Sequence, residues 1–307
     1  MTADIIITIS TLNRNLHSLV AFYKKTAWNI DVFLSTRFPN SRAVRQALDE
    51  YDGILAGPAA YHFFNRSRLP ANSDIEILVG YAGIRGMGYF LMSSGYSFWP
   101  DIGNGDFRDF PTTIMSFSTV SRMRTRCHHH LRFPVIRSFR FYRVLAGHPQ
   151  SLRLTLMGYD VLHYILMAPS TKLMSFITGR YALSVFPKST YGLYVQFMCH
   201  YSGYHGDAVY RWGRELRHTR HTVIEAGTEG PWETWSRLRA VGDESSWIFW
   251  FDAPVNERLL PIKYLSQFHQ KFQISNWMVA PQEPEEYMVI SEPGLTSFDD
   301  IDAAPLA

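Results

Sequence analysis

The sequence predicts an α+β fold, a mixed β-sheet flanked by helices with a smaller C-terminal extension. Three observations lead there. Residues 53–79 read in order as an apolar strand, a glycine turn, a short helix, a loop and a strand bearing acids. A less specific mixture of helix and strand patterns follows, which places the chain on the α+β side of the mixed classes. The 307 residues are 46% hydrophobic and 15% aromatic, enough to build a substantial core and to exclude global disorder.

Each element rests on a local pattern. Residues 1–24 give a short apolar run and then an amphipathic piece ending at Tyr23-Lys24-Lys25. "SRAVRQALDEY" (41–51) sets Val44 and Leu48 four apart, a helix entered from Asn40 or Ser41. "GILA" (53–56) is a brief strand that turns at Gly57. "PAAYHFF" (58–64) is a helix, because proline suits a first helical position whose N–H has no intrahelical partner. "SRLPANS" (67–73) is loop, and "DIEILV" (74–79) is a half-buried strand. A glycine-rich link, "GYAGIRGMG" (80–88), leads to a helix through "YFLMSSGY". Strands are expected at 112–120, 138–145 and 152–157, then a helix over 161–177 that Pro169 must end or kink. "YALSVFP" (181–187) closes the unit. Residues 206–221 read as a basic helix and 245–252 as a buried strand. The expected organisation is a main domain over 25–200, an extension over 201–280 packed on it, and a loosely ordered acidic tail over 281–307.

Charge and composition exclude several classes. No apolar run approaches the ~18 residues of a membrane span. "MTADIIITIS" carries an acid and no base before its apolar run, unlike a secretory signal. Cys127 and Cys199 are too few for a disulfide framework, and the expectation is a cytoplasmic or nuclear protein. The formal charge of +3 hides an asymmetry. Glu283, Glu285, Glu286, Glu292, Asp299, Asp300 and Asp302 follow the last base, Lys271, and without these seven the remainder carries about +10. No acid lies between Asp109 and Asp160, where Arg122, Arg124, Arg126, Arg132, Arg137, Arg140, Arg143 and Arg153 fall. Nucleotide phosphate or RNA would suit that stretch. A solvated face guarding a sheet edge is the alternative reading.

Asp74 and Glu76 carry the chemistry. Side chains two apart on a strand point the same way, with Cα atoms about 6.5–7 Å apart. The pair can therefore converge on one divalent cation, and magnesium prefers one or two carboxylates plus substrate phosphates. The Gly57 turn feeds a helix N-terminus, whose N–H groups suit a phosphate. Cation and helix end together would neutralise the charge that develops in phosphoryl transfer.

The pattern apolar-Gly-small followed by Asp-apolar-Glu-apolar resembles the signature of the nucleotidyltransferase fold, the DNA-polymerase-β-like superfamily. A wider resemblance covers roughly residues 28–252. "WNIDVFLSTRF", "GPAAYHFFNRSRLPANSDIEILV", "SSGYSFWPD", "MAPSTKLMSFITGRYALSVFPKSTY" and "RAVGDESSWIFWFD" look like a set of uncharacterised proteins from mushroom-forming fungi, described as nucleotidyltransferase-like. The resemblance implies a nucleotidyltransferase-like domain and Mg-dependent transfer of a nucleotidyl group from an NTP to an acceptor hydroxyl. It makes Gly57 the turn glycine and Asp74 and Glu76 the metal pair. Two departures favour a catalytically degenerate member that binds nucleotide, RNA or a protein. Pro58 stands where the superfamily has Gly or Ser and cannot donate to phosphate, leaving the Ala59 and Ala60 N–H groups. No third acid lies on the later strands, and Asp160 sits where a helix cap is the ordinary role.

Other patterns are weaker. "RCHHHLRF" clusters Cys127, His128, His129 and His130, and Cys199-His200 would have to complete a zinc site. Solvated histidines extending the arginine surface are the plainer reading. Arg122, Arg124 and Arg126 alternate as one strand face would and are candidate contacts for triphosphate or acceptor. "SFRFYR" interleaves aromatics with Arg140 and Arg143, as a base-stacking sheet face does, or as an amphipathic strand with its aromatics in the core does. No G-x-S-x-G elbow or P-loop is present, and "GIRGMG" is a poor dinucleotide fingerprint.

Overall fold

The computed structural model describes residues 14–70, 73–102, 106–116, 135–145, 147–158, 161–166, 168, 170–197, 212, 216, 219, 221–224, 239–242, 246–251 and 271–272. Among the described residues three helices come first: α1 (Arg14–Ala27), α2 (Ile30–Ser35) and α3 (Ser41–Glu50). Asparagines start two of them. The Asn29 side chain accepts from the N–H groups of Asp31 and Val32, and Asn40 from that of Ala43. Along α3, Val44, Ala47 and Leu48 are buried, as the four-residue spacing requires.

The next unit follows the sequence reading in the order and bounds of its elements, although its second strand is buried throughout rather than half-buried. β1 (Ile54–Ala56) stops at Gly57, α4 spans Pro58–Phe64, and β2 spans Ile75–Val79. Asp74 lies one residue before the ladder. Residues 80–88 differ from expectation, because α5 (Tyr81–Ser93) runs straight through the glycine-rich link. Its glycines are packing sites. A Cβ on Gly83 would sit 2.0 Å from the Tyr51 carbonyl oxygen, and one on Gly88 2.0 Å from the Phe110 ring. Tight apposition is what the missing side chains allow here, and it outweighs the helix cost of about 1 kcal/mol per glycine.

The segment expected as a strand over 112–120 is instead helical over 110–116, here α6. Asp109 starts it, its carboxylate accepting from the Thr112 N–H at 2.8 Å, and Pro111 falls in the first turn. β3 (Ser97–Trp99), β4 (Val135–Leu145) and β5 (His148–Met157) follow, with the predicted strands 138–145 and 152–157 lengthened at their N-terminal ends. The helix expected over 161–177 ends early, with α7 covering Val161–Leu166 only. Pro169 bars residue 168 from helical backbone. Beyond it lie a 3₁₀ turn (Thr171–Leu173) and a strand, β6 (Ser175–Ile177).

β7 (Tyr181–Ser184), a π-helical turn (Lys188–Leu193) and β8 (Val195–Phe197) come next, followed by β9 (Thr222–Ile224), β10 (Arg239–Ala240), β11 (Trp247–Trp250) and β12 (Lys271–Phe272). Eight of the strands make one sheet in the order β11-β7-β6-β1-β2-β5-β4-β3. All neighbours are antiparallel except β2 and β5. The sheet is mixed and flanked by helices, as the sequence predicts. β11 is a half-buried edge strand rather than a buried one, and it belongs to the main sheet although it comes from the C-terminal extension. Trp247 stacks on Tyr191 and Phe249 on Trp28, so its inner side chains face the core while Trp250 faces outward.

The central strands carry the core. β1 and β2 are buried along their whole length, and on β4 Phe139 and Phe141 turn inward. No helix among the described residues is long and apolar enough to cross a membrane.

Candidate functional site

Asp74 and Glu76 do share one face. Both side chains meet β5 residues that are themselves two apart. Arg153 Nε donates to Asp74 Oδ2 at 2.8 Å, and Thr155 Oγ1 donates to Glu76 Oε1 at 2.6 Å. The parallel register that sets Glu76 opposite Arg153 produces this pairing. Glu76 is 1% exposed, and its second oxygen accepts from the indole N–H of Trp212 at 2.8 Å. Thr155 spends its single hydroxyl proton on Glu76, so the contact between Ser138 and Thr155 oxygens at 2.9 Å has Ser138 as donor. A polar chain Ser138–Thr155–Glu76–Trp212 thus crosses the sheet in a buried setting.

Gly57 has φ +65° and ψ −138°, a conformation open to glycine and strained for other residues. The bend is covered. A Cβ at Gly57 would lie 2.7 Å from three atoms of the Trp212 indole. Ala59 and Ala60 follow in the first turn of α4, and both are buried. One tryptophan therefore lies over the turn glycine and binds one acid of the pair.

Asp74 is held by a guanidinium, both oxygens of Glu76 accept hydrogen bonds, and neither carboxylate faces a third acid on β5. Among the described residues no group of three or more His, Cys, Asp or Glu could hold a metal ion. As arranged, with both carboxylates engaged by the chain itself, the pair does not fit a divalent cation. Arg122, Arg124, Arg126, the Cys127–His130 run, Asp160 and Cys199-His200 lie outside the described residues. Comparison of the chain with protein-family models, curated proteins and solved structures gives no match.

Three residues at this site carry no local sequence signal. Thr155 and Arg153 pass as the polar half of an amphipathic strand, and Trp212 as part of a basic helix. Their role appears only once β2 pairs with β5. Lys172 is a fourth residue of this kind. It is buried beneath the Tyr61 ring, and its ammonium donates to the Leu216 carbonyl at 2.7 Å and Thr219 Oγ1 at 2.6 Å. Lys172 thereby ties residues 216 and 219 down near Trp212.

Burial pushes the Lys172 ammonium down to about 8 from its ordinary 10.5. The folded state then binds fewer protons than the unfolded chain between those values, so this group makes stability rise as pH increases through that window. Above about pH 10 the buried tyrosines Tyr61, Tyr181 and Tyr191, all raised by desolvation, act in the opposite sense. Denaturation midpoints between pH 8 and pH 10 should therefore climb in the wild type and flatten in Lys172→Met.

Proposed function

We propose that this chain is a nucleotidyltransferase-like protein that recognises a nucleotide or RNA partner and does not transfer a nucleotidyl group. One observation supports this above the others: Trp212 lies on Gly57 while donating to Glu76. The two features that would hold phosphate and metal are thus engaged by the chain itself. Arg153 does the same for Asp74. The acid-free, arginine-rich stretch between Asp109 and Asp160 supports a polyanionic partner, and Arg122, Arg124 and Arg126 remain candidate contacts within it. An active Mg-dependent transferase is the second reading: it draws on the shared face of Asp74 and Glu76 and requires Arg153, Thr155 and Trp212 to release the two carboxylates.

Thermal unfolding with Mg²⁺ and each NTP, separately and together, divides the two. A ligand at 100 times its Kd adds about 2.7 kcal/mol. The recognition reading expects no stabilisation that needs both metal and nucleotide, and no label incorporated from NTP into any acceptor. A Mg-dependent shift that disappears in Asp74→Asn, with incorporation lost in Glu76→Gln, would establish the transferase instead.

A further inference from the structure

The face that carries Asp74 and Glu76 continues past β5 to the sheet edge, where Trp99 and Arg140 are exposed. Strand alternation puts Ser138, Arg140 and Tyr142 of β4 on this side, opposite Phe139 and Phe141. Arg140 stands beside Arg153 on one neighbour and Trp99 on the other, and Ser97 beside Tyr142. Trp99 is 60% exposed, and its ring meets Tyr142 edge to face with centroids 5.4 Å apart. Arg140 is exposed, and no acid among the described residues pairs with it.

We infer that this outer part of the sheet, centred on Trp99, Tyr142 and Arg140, is a docking surface for single-stranded nucleic acid. The inference deepens the recognition reading above and rests on it for the class of partner. The argument is complementarity. The strand surface offers an exposed indole with a second ring against it, and unpaired bases have π-faces that stack on such rings whatever their sequence. Arg140 is the cross-strand partner of Trp99, so a cation stands next to the stacking ring, the combination by which single strands are held. Guanidinium suits phosphate because its donors form a planar fork. A duplex hides its base faces, so it can use the arginine but not the rings. An acidic peptide likewise uses the charge alone.

Fluorescence anisotropy of the full chain with labelled oligouridylate and with oligodeoxythymidylate of the same length tests this. Both should bind, or the RNA more tightly if the 2′-hydroxyl is also read. Trp99→Ala is expected to weaken binding about tenfold, the loss of one stacked base. Arg140→Gln should lower the slope of log affinity against log salt by roughly 0.7, one phosphate contact on a single strand. Duplex RNA should bind more weakly than single strands, and poly-glutamate should not compete. Both substitutions are at exposed positions, and unfolding curves matching the wild type confirm intact folds. The inference is overturned if neither oligonucleotide binds, if Trp99→Ala binds like the wild type, or if poly-glutamate or duplex RNA competes equally well. Incorporation of nucleotide by the wild type would overturn the recognition-only reading by itself, leaving the Trp99→Ala result to judge this surface.

Discussion

Glu76→Ala is expected to lower stability by about 3–5 kcal/mol. The truncation leaves the Trp212 indole N–H and the Thr155 hydroxyl without their acceptor in a buried setting, each at a cost of roughly 1–3 kcal/mol, and adds a cavity. Glu76→Gln should cost far less, about 1 kcal/mol. Its amide oxygen can keep the indole bond while its NH₂ donates to Thr155, whose hydroxyl then turns. Urea unfolding of both variants measures the difference. Trp212→Phe removes the same bond from the other end, and its combination with Glu76→Ala should be non-additive by 0.5–3 kcal/mol, the range for residues in contact. A near-neutral Glu76→Ala would mean that the acid is not structural, and would return it to candidacy as a metal ligand.

The second large effect is at the bend. Gly57→Ala meets two separate penalties: a backbone conformation costing roughly 1–3 kcal/mol for a residue with a side chain, and overlap of the new methyl with the indole, costing a similar ~1–3 kcal/mol. A total of about 4 kcal/mol is expected. Gly95 supplies the control, since its φ is also positive, at +86°, yet a Cβ there would meet nothing within 4 Å. Gly95→Ala should therefore show a backbone cost alone, and Gly57→Ala should exceed it by the contact with Trp212 together with the less accessible ψ of −138° at the bend. A cost at Gly57 no greater than that at Gly95 would mean that the indole does not sit over the bend in solution.

Much of the frame was readable from short-range patterns. The stretch from Ile54 to Val79 was legible because each boundary has a local cause: Gly57 for the turn, Pro58 for the helix start, the apolar run of Ile75–Val79 for the strand. The errors share a different cause. Glycines in 80–88 suggested a link because their packing partners, Tyr51 and Phe110, are remote in sequence. The 112–120 strand looked β-branched and aromatic, while the decisive signal was the Asp109 cap with Pro111 behind it. In the site, the shared face of Asp74 and Glu76 followed from strand periodicity alone. What occupies those acids did not, since Arg153, Thr155 and Trp212 reach them only through tertiary pairing. The aromatics of "SFRFYR" divided between both readings: Phe139 and Phe141 entered the core, and Tyr142 stayed on the open side with Arg140.

The strand order has a consequence for how the chain reaches this state. β1 sits between β2 and β6, and its partner residues Leu55 and Ile177 are more than a hundred positions apart. The parallel junction of β2 with β5 likewise spans some seventy-five positions, Ile77 meeting Leu154. Contacts that distant must close long loops before they return any free energy, so refolding should be slow for the chain's size, milliseconds to seconds rather than microseconds. During synthesis, β1 has its far neighbour only after residue 177 has emerged. Until then one edge of a wholly apolar strand stays bare, and during this interval the growing polypeptide is exposed to aggregation.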